Sequence, residues 1–220
     1  MNGAIDLEAY NKYFNDSEIN KILDNNNKLQ NEVFTACHGR YHAMFTVGMV
    51  EHILGSLSYD TRTIELGKIA ALMHDIGNIA GRQEHPRKGA ALAAIFLDDP
   101  ALILPAEKDI IVQAIQDHSK GKNIASPVGA ALLIADKVDI SYKRILPKAN
   151  IDHWHKNLLE IRDVEVHVSD KVITINYITT DKFSKDLLIS DYEKGFKLPV
   201  MAVEYLGCDC VFRFNGVGEV

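Results

Sequence analysis

His74 and Asp75 stand side by side at the end of the apolar run Leu66-Gly67-Lys68-Ile69-Ala70-Ala71-Leu72-Met73, with Gly77 close behind. A buried segment that delivers an imidazole and a carboxylate to a helix end must offset their desolvation, and a cation does so. His42, His85, His118 and Asp136 share this placement, each at the end or on the inner stripe of its own helical pattern. Independent core histidines would not be expected to keep such company with buried aspartates. The set therefore reads as metal ligands, and mixed His and Asp ligation suits iron, manganese or zinc better than calcium. For Asp136 taken alone, a plain salt bridge to Lys137 or Arg144 is the alternative.

The elements that must position these groups follow from apolar spacing. His42 shares a stripe with Phe45, Met49 and Ile53 on a helix from Arg40 to Leu57. Thr61 or Thr63 caps the next helix, which ends in His74-Asp75, and a short polar loop leads to His85-Pro86, where proline suits the first turn of another. Gly89, one turn after His85, leaves room beside the imidazole for something to approach. That helix ends at Asp98-Asp99-Pro100, and a further one from about Ala106 brings His118 to its apolar side. Ser126-Pro127 opens a helix that is apolar on every side up to Asp136. Upstream, residues 5–33 read as short amphipathic helices, with Asp16 or Ser17 as a cap and Asn25-Asn26-Asn27 as a break.

Other residues of reactive type take structural readings. His38 precedes the helix from Arg40, His52 lies off its inner stripe, His153 and His155 cannot face one side of a helix, and His167 falls on the polar face of a strand. Cys37, Cys208 and Cys210 cannot all pair and are read as reduced thiols. A net charge of −6 argues against a broad nucleic-acid surface, although a small anion needs only a local cationic pocket. No apolar run reaches membrane-spanning length, and Met1-Asn2-Gly3-Ala4-Ile5-Asp6 lacks the character of a signal peptide, so the expectation is a cytoplasmic protein.

Beyond Asp139 the pattern changes. A helix from Ile151 to Leu159 carries Trp154, Leu158 and Ile161 inward, and alternation from Val164 to Ile178 then gives a β-hairpin about Ser169-Asp170-Lys171. A helical stretch over 185–206, interrupted near Gly195 or Pro199, precedes a third strand at Cys210–Phe214. The expected fold is mainly α: a helical bundle over residues 1–160, then a small α+β domain over 161–220 with an antiparallel sheet. So small a sheet should pack on the helices or pair across a homodimer.

Arg40-Tyr41-His42, His74-Asp75-Ile76-Gly77, His85-Pro86-Arg87-Lys88-Gly89-Ala90, His118 and Ala135-Asp136 occur in an order that resembles the HD-domain superfamily of metal-dependent phosphohydrolases, over roughly residues 35–145. The resemblance implies that His42, His74, Asp75 and Asp136 hold one metal and that His85 and His118 add a second, with Asp75 bridging. Two such cations lower the pKa of a shared water and polarise phosphoryl oxygens, so that hydroxide attacks phosphorus in line. His74 and Asp75 would then sit at the catalytic centre. No Gly-Tyr-Pro signature is present, which disfavours the cyclic-dinucleotide branch. Many members have lysine where this chain has Asn78; the phosphate contact then falls to Arg82, Arg87, Lys88, Lys120 or Lys137. A hydrolase acting on a nucleotide or similar phosphorylated molecule is the leading expectation. A metal-binding sensor without turnover and a structural protein with core histidines are the others.

Overall fold

The computed structural model describes residues 7–33, 36–121, 123–145 and 153–217; the side chains of 27–33, 153 and 154 lie outside that description, and with them the readings made for Trp154 and His153. In chain order the helices are α1 (Glu8–Phe14), α2 (Ser17–Val33), α3 (Arg40–Ser56), α4 (Thr61–Met73), α5 (His85–Phe96), α6 (Pro105–Asp117), α7 (Pro127–Val138) and α8 (His153–Leu158). Strands β1 (Ile161–Ser169) and β2 (Val172–Thr179), helices α9 (Lys185–Asp191) and α10 (Glu193–Tyr205) and strand β3 (Asp209–Phe214) follow. The protein is mainly α, with one small sheet.

Helices α4 and α7 form the centre because their neighbours cover them, α4 being buried without a break from Glu65 to Met73 and α7 over most of its length. Helix α4 packs against α1, α3, α6 and α7, and α7 is enclosed by α3, α4, α6 and α10. Leu132, Leu133 and Ile134 are all but inaccessible to solvent, and burying each such side chain contributes about 1.5–3 kcal/mol. Lys68, inside the buried run of α4, reaches out to Glu51 at 2.9 Å and lies over the Tyr10 ring. Asp60, rather than Thr61 or Thr63, caps α4, its carboxylate accepting from the Thr63 amide. Ser126 caps α7 and Asp16 caps α2.

The Asn25-Asn26-Asn27 run does not break α2, which continues through it. Asn26 is fully buried and donates from Nδ2 to Asp75 O at 3.0 Å, so a tertiary hydrogen bond outweighs its weak helix propensity. The turn after α4 is a 3₁₀ segment, Ile76–Ala80, pressed against α5. A Cβ on Gly77 would lie 2.2 Å from His85 O and 2.4 Å from Gly89 N, which only glycine permits. A Cβ on Gly89 would meet His74 O at 3.2 Å. The space expected beside His85 is therefore taken by the backbone of the His-Asp turn.

The hairpin forms as expected, with Asp170 and Lys171 both at positive φ in its two-residue turn. Val164 faces Tyr177 and Val166 faces Ile175 in the antiparallel ladder. β3 pairs with β2 in parallel, so the sheet is mixed and the expectation of an antiparallel third strand is corrected. Helices α9 and α10 carry the chain back to the end of the sheet where β2 began, and a parallel neighbour requires such a crossover. Ile161 opens β1 instead of ending the preceding helix. The helical stretch breaks at Tyr192 and runs unbroken through Gly195 and Pro199. His52 donates from Nε2 to Val166 O at 2.8 Å and ties α3 to β1. Among the described residues no helix is long and apolar enough to cross a membrane.

Candidate metal centre

Five helices meet at one place. The inner face of α3 supplies His42, the C-terminus of α4 His74 and Asp75, the start of α5 His85, the C-terminus of α6 His118, and the last turn of α7 Asp136. His42 Nε2 lies 3.1 Å from His74 Nε2 and 3.1 Å from Asp136 Oδ1. On the other side, His85 Nε2 lies 3.3 Å from His118 Nε2. Asp75 stands between, with Oδ2 3.3 Å from His74 Nε2 and Oδ1 3.5 Å from His85 Nε2. The ligand-type residues read from the sequence are thus brought together, and His42, His74, Asp75, His118 and Asp136 are buried.

The tautomers follow from what lies behind each ring. His74 Nδ1 is 2.8 Å from Ala71 O, His118 Nδ1 2.6 Å from Ile115 O and His85 Nδ1 3.0 Å from Arg82 O. His42 Nδ1 is 2.7 Å from Asp139 Oδ2. Carbonyls and carboxylates only accept, so each Nδ1 carries the proton and each Nε2 presents a lone pair inward. Acceptors in pairs at 3.1 and 3.3 Å, with no donor between them, fit a cation and little else. Asp75 Oδ2, buried without a hydrogen-bond donor among the described residues, points the same way.

The charges agree. Burial alone would raise Asp75, yet His74, with His38 and His42 nearby, holds its carboxyl well below the usual range. Burial opposes ionisation of Asp136 too, and Lys137 and His42 override it. Burial and then His74 push His118 down to about 3, which keeps its ring neutral. For His74 burial works downward, but Asp75 and Asp136 outweigh it and the net shift is upward. The alternative partner considered for Asp136 is real: Lys137 Nζ sits 2.6 Å from its Oδ2, while Oδ1 remains turned to His42.

The sequence reading missed one participant and gave two others a different role. Asp139 is buried behind His42, and its backbone oxygen accepts from Arg144 Nη1, whose Nε also bonds Cys37 O. Its signal was its place one helical turn after Asp136. Asn78 is buried and donates from Nδ2 to Asp75 Oδ1 at 2.8 Å and to Asp75 O at 3.1 Å, so this position braces the carboxylate from beneath. His38, taken as structural, is buried with its ring 6.1 Å from that of His42. Its Nδ1 donates to Ala36 O, and Arg82 Nη1 donates to its Nε2 at 2.9 Å.

Beside His85 opens a cleft of about 500 Å³ whose lining includes Arg82, Arg87 and Lys120. Arg87 is engaged by Glu84. Lys88 is not part of the lining and bonds Ala80 O.

The model of the HD-domain family matches residues 39–173, more than half of the chain. No curated protein matches the chain significantly. The crystal structure of a predicted HD superfamily hydrolase from an uncultured Thermotogales bacterium aligns with 56% of this chain and 67% of its own, at 23% identity and a TM-score of 0.44. The family match takes in every ligand-type residue from His42 to Asp136, and the chain belongs to the HD-domain family.

Proposed function

We propose that the chain is a metal-dependent phosphohydrolase that cleaves a phosphate ester or anhydride of a nucleotide or similar small molecule. The observation that carries this reading is the division of the Asp75 carboxylate between two groups of imidazoles. Its Oδ2 lies 3.3 and 3.7 Å from His74 and His42, and its Oδ1 3.5 and 3.8 Å from His85 and His118. His42, His74, Asp75 and Asp136 would hold one divalent ion, and Asp75, His85 and His118 a second. Iron, manganese or zinc bound there supplies a water acidic enough to ionise near neutrality and polarises the phosphoryl oxygens.

The chain's own groups do the rest. Asp75 and His74, at the junction of the two groups, fix where the attacking water and the phosphorus meet. Arg82 and Lys120 line the cleft beside His85 and are the proposed contacts to substrate phosphate. Lys88 and Lys137 would serve only by leaving Ala80 O and Asp136. On the same reading, residues 1–160 form the hydrolase unit and 161–220 an appended one.

The test is a screen of nucleoside mono-, di- and cyclic phosphates and dinucleoside polyphosphates with added manganese, iron or cobalt, beside Asp75→Ala. Turnover of any one, lost in the mutant, supports the proposal. Metal bound with no turnover of anything would replace it with a metal-binding sensor, and a chain that takes up none of these ions would leave only a structural role.

A further inference from the structure

The C-terminal segment touches two of the stretches that carry the centre. Leu198 of α10 packs against Gly121, in the loop after His118, so closely that a Cβ there would lie 2.8 Å from Leu198 Cδ2. α10 also lies along α7, which ends in Asp136, Lys137 and Val138. At the junction of α9 and α10, the Tyr192 hydroxyl donates to Lys137 O at 3.2 Å. That carbonyl belongs to the last turn of α7 and has no partner within its own helix. Gly195 makes room for the ring, since a Cβ there would fall 1.7 Å from Tyr192 Cε1. Burial raises the Tyr192 hydroxyl, which stays a neutral donor beside Lys137 and Asp136.

We propose that Tyr192 is a positioning residue through which the C-terminal segment completes the metal centre. By fixing the last turn of α7 it holds Lys137 on Asp136 Oδ2 and thereby keeps Asp136 Oδ1 aimed at the ion beside His42. The proposal rests on the metal-centre reading, and its test separates the two.

Cobalt(II) is titrated into metal-stripped wild type, Tyr192→Phe and Tyr205→Phe, whose side chain is exposed, and the visible absorption of the bound ion is followed. Amide exchange at residues 137–139 is measured in the metal-free proteins. Tyr192→Phe is expected to bind cobalt about 10-fold more weakly, with an altered spectrum and faster exchange at the end of α7, while Tyr205→Phe matches wild type. Gly195→Ala, which displaces the ring and keeps the hydroxyl, should reproduce the loss should Tyr192→Phe not fold. Wild-type affinity and spectrum in the Tyr192 or Gly195 variant overturn the proposal. A wild type that takes up no cobalt overturns the metal reading, and unchanged amide exchange then overturns this proposal as well.

Discussion

At the scale of the residue, the centre depends on groups that never face its interior. Asp139 Oδ2 accepts the Nδ1 proton of His42, which fixes the tautomer and raises the basicity of the opposite nitrogen. Asp139→Ala should therefore weaken metal binding by about 10–100-fold while leaving every ligand in place, as measured by titration of the metal-stripped protein. Unaltered affinity would mean that the ring is held by packing alone. The ligands themselves are expected to separate by group: His118→Ala should lose one ion and retain the other, and Asp75→Ala should lose both, by metal analysis of the purified variants. A stoichiometry of one in wild type, unmoved by His118→Ala, removes the second site. That these histidines and aspartates cluster was legible because each stands at a helix end or on an apolar stripe, where an unpaired polar group is out of place. Asp139 was harder, because its partner lies 97 positions away and its own neighbourhood resembles an ordinary helix end.

Elements bring these residues together through two close approaches. Gly77 lets the His-Asp turn rest on the first turn of α5, and Asn26 reaches from α2 to the carbonyl of Asp75. Gly77→Ala must push the turn away from His85 and Gly89 backbone that cannot yield, so it should cost about 1–3 kcal/mol and weaken the His85 and His118 group more than the His42 and Asp136 group. Chemical denaturation together with metal stoichiometry would show it, and a stable variant with full metal content would refute it. The helices were readable from periodicity and caps, whereas the role of the asparagine run was not. Local propensity made it a break, and the distant carbonyls of Asp75 and His38 that Asn26 reaches could not be read from it. The third strand was misread in direction for a similar reason, since alternation identifies a strand and says nothing of which way its neighbour runs.

At the scale of the whole molecule, the helices are also tied together away from the candidate metal centre. Arg62 at the start of α4 bonds Glu65, Glu107 at the start of α6, and Leu102 O; Glu65 in turn accepts the Tyr10 amide, so one guanidinium joins α1, α4 and α6. The hydrogen bond from Arg62 holds the Glu107 carboxyl below its usual range, against a smaller opposing effect of burial. A carboxyl depressed in the folded state contributes stability above its unfolded pKa of about 4.3, and that contribution disappears as pH falls through the lower folded value. Glu107→Gln should accordingly melt below wild type near neutrality, and the gap should close progressively on acidification below about pH 4. Metal-free protein is the right material, because ion release in acid would otherwise add its own loss of stability. A gap that persists unchanged into acid would assign the effect to lost packing rather than to the ion pair.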